Sequence, residues 1–256
     1  MKQIPNIFTL LNLFFGCLAI TLILQNGLIA TINADGEQVL MLPEKLYWAS
    51  AFIGIAAVID FLDGFVARLL KASSEMGKQL DSLADVVSFG VAPAMIVYQF
   101  LRLAYARQED GLNISAIWLM PAFLLPCAGA YRLARFNIDT EQSLGFKGVP
   151  IPAAGLLIAS FPLIYWYARE SWVIDIILNK WFWYAVIFAV SYLMVSTLPM
   201  MALKFKDLSI KNNLPKLILV LVALAAGLLL RWLAVPVVFV VYVILSLTMP
   251  AKKAIE

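Results

Sequence analysis

Eight stretches of the chain read as nearly continuous apolar runs of the length a helix needs to cross a bilayer: 5–26, 45–68, 83–106, 114–134, 151–168, 181–201, 215–231 and 233–250. About 20 apolar residues span the hydrocarbon layer when wound as an α-helix. Strands of a lipid-facing barrel would instead alternate apolar and polar positions, and these runs do not. Because lipid satisfies no backbone N–H or C=O group, helices are the remaining choice, and the glycines and prolines inside the runs do not exclude them. The predicted fold class is all-α: a polytopic transmembrane helix bundle of about eight spans, forming a single integral membrane domain over 1–256. The longer polar connections, near 27–44, 136–150 and 202–214, are too short for a soluble domain, and no internal repeat is evident. The first run is long enough to span and lacks a basic stretch and cleavage site, so it is expected to be retained.

Composition agrees with the pattern. Hydrophobic residues make up 63 % of the chain and charged ones 14 %, which excludes an ordinary soluble domain and a disordered chain. The two cysteines, Cys17 and Cys127, fall inside apolar runs without metal-ligand spacing and read as small buried hydrophobes. The chain has no histidine, which leaves acid–base and metal-binding work to carboxylates. In the eight-span reading, one side carries Lys2, Arg68, Lys71, Lys78, Arg132, Arg135, Lys147, Lys204, Lys206, Lys211, Lys216, Lys252 and Lys253. The other side carries Lys45, Arg102, Arg107, Arg169, Lys180 and Arg231. The positive-inside bias then predicts both termini on the cytoplasmic side. The net charge of +3 reads as topology and headgroup contact, with no nucleic-acid motif.

Against that background stand four aspartates, Asp60, Asp63, Asp81 and Asp85. An aspartate at the centre of a membrane helix costs about 2.5 to 3.5 kcal/mol, so four without partners would cost roughly 10 to 14 kcal/mol. Asp60 and Asp63 are three apart and Asp81 and Asp85 four apart, so each pair lies on one helical face. The Leu69–Leu80 connection reads as a hairpin that brings the pairs together near the cytoplasmic ends of their helices. Oxygen ligands without nitrogen or sulfur favour magnesium, manganese or calcium, and two such ions bridged by carboxylates suit phosphoryl chemistry. A carboxylate outside the full metal shell can take a proton from an incoming hydroxyl, and Asp85 is the candidate. Gly64, Ala67 and Gly77 lie on or beside the acidic faces, where missing side chains allow either close helix packing or close approach of a phosphate-bearing ligand. An ion or proton pathway is the competing reading of intramembrane acids.

The full string Asp60-x2-Asp63-Gly64-x2-Ala67-Arg68-x8-Gly77-x3-Asp81-x3-Asp85 resembles the signature of the CDP-alcohol phosphotransferase family at every motif position. That resemblance implies displacement of CMP from a CDP-linked donor by an alcohol, with Mg2+ or Mn2+ as two bound ions. It implies that Asp60, Asp63 and Asp81 bind the metals, that Asp85 is the base and assists one metal, and that Gly64, Ala67, Arg68 and Gly77 line the nucleotide site. It also implies a six-helix core and a homodimer, which leaves about two extra spans in this chain. Asn6, Thr9 and Asn12 share one face of the first span, suited either to interhelical hydrogen bonds or to a place near the nucleotide. The Pro5-Asn6-x2-Thr9-x2-Asn12 opening is similar to the first helix of the same family.

Two further stretches bear on the acceptor: Tyr131-Arg132-Leu133-Ala134-Arg135-Phe136-Asn137 and Phe146-Lys147-Gly148-Val149-Pro150-Ile151-Pro152-Ala153-Ala154. Both resemble the membrane-embedded bacterial and archaeal branch of the family whose acceptor is serine, which implies CDP-diacylglycerol and L-serine as substrates and a prokaryotic cytoplasmic membrane with the active site on its cytoplasmic side. An arginine suits the serine carboxylate through a bidentate contact, with Asn137 nearby, so Arg132, Arg135, Asn137 and Lys147 are the acceptor candidates within 131–154. The plain alternatives are a positive-inside anchor for Arg132 and Arg135, a stiff turn for Gly148-x-Pro150-x-Pro152 and a headgroup contact for Lys147. Glycerol 3-phosphate, inositol phosphate or an amino alcohol as acceptor, a divalent-cation carrier, and a lipid-binding protein without catalysis are the competing functions.

Overall fold

The computed structural model describes residues 3–25, 27–32, 36, 38–70, 72, 74–108, 111–138, 146–168, 170–201 and 210–248. Lys2, Lys71, Arg169, Lys204, Lys206, Lys252 and Lys253, used above in the charge argument, lie outside the described residues. Ten α-helices are described: α1 Ile4–Leu24, α2 Leu46–Leu69, α3 Glu75–Asp85, α4 Ala92–Ala106, α5 Leu124–Ile138, α6 Ile151–Tyr167, α7 Ser171–Ile177, α8 Lys180–Val195, α9 Ile210–Leu230 and α10 Ala234–Thr248. Two short antiparallel ribbons, unforeseen in the all-α reading, pair β1 Ile29–Ile32 with β2 Gln38–Met41 and β3 Phe146–Lys147 with β4 Pro199–Met200.

Ile4–Gln25, Leu46–Leu69, Glu75–Ala106 and Asn213–Thr248 are each long and apolar enough to cross a membrane, and α7 with α8, bent by 65°, makes a fifth if counted together. The protein is thus an all-α polytopic membrane protein. A straight helix of the 36 residues Asn213–Thr248 would be about 54 Å long, nearly twice the hydrocarbon thickness. Instead the backbone breaks at Arg231–Leu233, where Arg231 takes φ +52°, and α9 packs against α10 as a hairpin.

Several boundaries differ from the expected runs, each for a local reason. Ser74 caps α3 with its hydroxyl, which accepts from Gly77 N at 3.0 Å. The helix therefore starts at Glu75, and the connection after α2 is shorter than the predicted Leu69–Leu80 hairpin. The run at 114–134 is α-helical only from Leu124, because its first half winds into short 3-10 turns, one of them led by Pro121. The run at 181–201 stops at Val195 because Pro199 and its neighbours leave the helix to form β4.

The core is a set of stripes that the sequence spacing dictates. Pro5, Thr9, Asn12, Gly16, Ala19 and Ile23 form the buried face of α1, which lies chiefly along α2. Between α3 and α4 the chain passes through a π-helical segment, Val86–Val91. Close backbone approaches hold this segment. A Cβ on Gly16 of α1 would lie 2.9 Å from Ser88 Cα, and one on Gly155 of α6 would lie 2.9 Å from Phe89 Cα. Farther along, Phe100, Phe161, Phe182 and Trp183 interlock, with Phe100 and Trp183 stacked at 4.8 Å.

Candidate active site

The two acid pairs meet. Asp60 and Asp63 project from α2, and Asp81 and Asp85 from α3. Carboxylate oxygens of Asp60, Asp63 and Asp81 lie within 4.8 Å of one another. Asp60 is in side-chain contact with both Asp81 and Asp85, so all four acids belong to one cluster. Asp63 and Asp85 are the most enclosed, each 6 % exposed. An all-oxygen donor set this compact fits a hard divalent cation.

α1 supplies the partners that orient the acids. Thr9 Oγ1 donates to Asp63 Oδ2 at 2.7 Å, and Asn12 Nδ2 donates to Asp85 Oδ1 at 3.4 Å. Ser88, on the π segment, donates through Oγ to Asn12 O at 3.0 Å, which ties the turn after Asp85 back to α1. Both Thr9 and Asn12 are buried, and Asn12 Oδ1 has no partner among the described residues. The polar face of the first span therefore reaches the acids themselves. Asn6 sits at its outer end, where its Oδ1 would be 3.1 Å from a Cβ on Gly77.

The small residues divide into two kinds. A Cβ on Gly64 would meet only Arg68 Nη1, at 3.7 Å, so that side of α2 is open beside the acids. A Cβ on Gly77 would crowd Asn6 and its own cap, so Gly77 packs α3 against α1. Arg68 is exposed at the end of α2, and Ala67, half-buried, accepts from Ala72 N through its carbonyl.

The acceptor candidates also separate. Arg132 is 5 % exposed, its Nε has no partner among the described residues, its guanidinium lies 5.9 Å from the Phe136 ring, and Asp85 is the carboxylate near enough to act on it. It is the buried member of the set. Arg135 instead donates to Val195 O at 2.7 Å and Ser196 O at 2.9 Å, closing the C-terminal end of α8. Asn137 Nδ2 donates to Ser82 Oγ at 2.8 Å, and Asn137 O accepts from Lys78 Nζ at 3.0 Å, so this residue binds α5 to α3 beside Asp81. Lys147 is exposed on β3, and Gly148 follows with φ +74° and its N–H donated to Leu198 O at 2.9 Å.

Sequence reasoning placed Asn12 on the polar face without a role at the acids, and it did not single out Ser82 or Ser88. The available signal was spacing: Asn12 continues the three-residue repeat from Asn6 and Thr9, and Ser82 adjoins Asp81.

Fold and site together define a polytopic helical membrane protein with a partly buried four-carboxylate centre built across a helix pair. The profile of the CDP-alcohol phosphatidyltransferase family matches residues 2–191, and the chain belongs to that family. Among individual relatives, it is 37 % identical over 156 residues to the CDP-diacylglycerol–serine O-phosphatidyltransferase of Helicobacter pylori strain J99, covering 60 % of this chain and 54 % of that protein. It is 34 % identical over 169 residues to the protein of the same name from Bacillus subtilis, covering 63 % and 77 %. An archaetidylserine synthase from Methanothermobacter thermautotrophicus is 32 % identical over 197 residues, covering 76 % and 68 %. The chain thus spans about half the length of the Helicobacter relative.

Proposed function

We propose that this protein transfers a phosphatidyl group from CDP-diacylglycerol to L-serine, giving phosphatidylserine and CMP. The observation that carries the reading is the convergence of two acid pairs from α2 and α3 into one oxygen-donor cluster, within the matched family region. Asp60, Asp63 and Asp81 would hold divalent metal, Mg2+ or Mn2+, and the family resemblance makes that two ions with Asp85 assisting one. Bound there, metal would neutralise the pyrophosphate and stabilise the departing CMP.

The chain's own groups do the rest. Asp85, enclosed and held by Asn12, takes the proton from the serine hydroxyl as its oxygen bonds to the diacylglycerol-bearing phosphorus. The bond from that phosphorus to the CMP oxygen breaks, and the electron pair leaves with CMP. Gly64 leaves room for the nucleotide beside the acids, and Arg68 stands at its edge. Arg132 supplies a buried cation on the Asp85 side, suited to the serine carboxylate. Asn137 and Arg135 act on this pocket by fixing α5 against α3 and α8. The distribution of basic residues supports a cytoplasmic active site and cytoplasmic termini, and the family resemblance supports a homodimer.

The test is CMP release by purified protein in mixed micelles with CDP-diacylglycerol and manganese, comparing L-serine, glycerol 3-phosphate and inositol phosphate. Serine-dependent release is expected. Release with a phosphorylated acceptor alone would keep the reaction and reassign Arg132 to an acceptor phosphate. No release with any acceptor would refute the proposal.

A further inference from the structure

The family match ends at residue 191, within α8, so α9 and α10 lie beyond it. α10 is nevertheless bonded to Met201, beside the strand that pairs with Phe146–Lys147. Its residues Tyr242 and Ser246 are four apart on one face, 7 % and 2 % exposed. Both turn to a single residue. Ser246 Oγ accepts from Met201 N at 3.1 Å, and Tyr242 OH donates to Met201 O at 3.2 Å. Ser246 Oγ in turn donates to Tyr242 O at 2.7 Å. Packing in lipid asks for no polar groups here, yet α10 uses both of its buried hydroxyls to fix one backbone unit.

Met201 directly follows β4, which pairs with β3: Met200 faces Phe146 and Pro199 faces Lys147. Gly148 N donates to Leu198 O at 2.9 Å and Val149 N to Leu193 O at 3.0 Å. An unbroken series of bonds therefore runs from α10 through 198–201 to the turn that carries Lys147. Just ahead of this strand, Val195 O and Ser196 O accept from Arg135 of α5, so the same strip of chain is also tied to the helix that carries Arg132. We infer that Tyr242 and Ser246 are positioning residues for the acceptor, holding residues 198–201 and with them the Lys147–Gly148 turn against the site. The α9–α10 hairpin thus sets acceptor affinity from outside the matched family region. This inference rests on the function proposed above.

The experiment is steady-state CMP release by the unaltered protein and by the Tyr242→Phe, Ser246→Ala and Ser246→Thr variants, varying each substrate in turn. Each lost hydrogen bond is expected to raise KM for serine about fivefold, with KM for CDP-diacylglycerol and kcat unchanged. Ser246→Thr, which keeps the hydroxyl, should restore the wild-type KM. A purely structural role would lower the active fraction, and so apparent kcat, without separating the two KM values. That result, or equal rises in both, overturns the inference. If the unaltered protein prefers another acceptor, the same comparison is read with that acceptor. If it releases no CMP at all, the proposed function fails separately. Amide exchange then decides the inference: faster exchange at 146–149 and 201 in the Tyr242→Phe and Ser246→Ala variants supports the linkage, and unchanged exchange overturns it.

Discussion

Replacing Thr9 by valine removes one hydroxyl and almost no volume, and it should weaken metal binding more than it slows any chemical step. Thr9 Oγ1 donates to Asp63 Oδ2 at 2.7 Å, and both groups are buried, at 3 % and 6 % exposure. A hydrogen bond to a charged group contributes about 1.5 to 3 kcal/mol, which corresponds to roughly 10- to 150-fold in an equilibrium constant. Loss of a partner that orients a metal-binding carboxylate typically costs about 10- to 100-fold in metal affinity, and the two figures agree. The assay is CMP release against manganese concentration at saturating substrates. The half-saturating concentration should rise about 10- to 100-fold in Thr9→Val, with kcat recovered at high manganese, and Thr9→Ser should behave as the unaltered protein. An unchanged half-saturating concentration, or a kcat deficit that manganese does not relieve, would refute the view that Thr9 acts through Asp63.

Asp85→Asn should lower turnover about 100-fold or more while binding of CDP-diacylglycerol, followed by isotherm in micelles, changes little; equal activity would remove Asp85 as the base. Chelation with EDTA should abolish CMP release, and added Mg2+ or Mn2+ should restore it; activity that survives exhaustive chelation would contradict a metal-holding role for the acid cluster. Gly148→Ala should destabilise the protein by about 1 to 3 kcal/mol, because φ is +74° and the added Cβ would lie 2.9 Å from Ser196 O. Thermal unfolding in detergent measures this, and an unshifted midpoint would show that the turn relaxes freely.

The acidic centre was legible because helical spacing converts directly into geometry: residues three and four apart on two linked helices have few ways not to meet. The polar face of α1 was legible as a face, but its target was not, because nothing in Asn6, Thr9 and Asn12 encodes which helix lies opposite. Arg132 and Arg135 show the limit more sharply. They are three apart and share a side of α5, yet one is enclosed near Asp85 and the other closes the end of α8. That division depends on where α8 terminates, a tertiary fact set by Pro199 and the β3–β4 ribbon. Hydropathy also overestimated the helical lengths at 114–134 and 181–201, since it registers apolar residues and is blind to the turns that prolines impose.

The π segment at Val86–Val91 carries a consequence for how chain length can change over evolutionary time. A π turn is equivalent to an α-helix that has accepted one extra residue. Deleting a residue from an ordinary spanning helix rotates everything beyond it by about 100° and turns core residues toward lipid. Between Asp85 and Ala92 the same deletion would let the bulge relax to α-helix and leave the helices on either side in phase. Relatives aligned to this chain are therefore expected to differ in length by one residue here more readily than anywhere else between the acid pair of α3 and the end of α4.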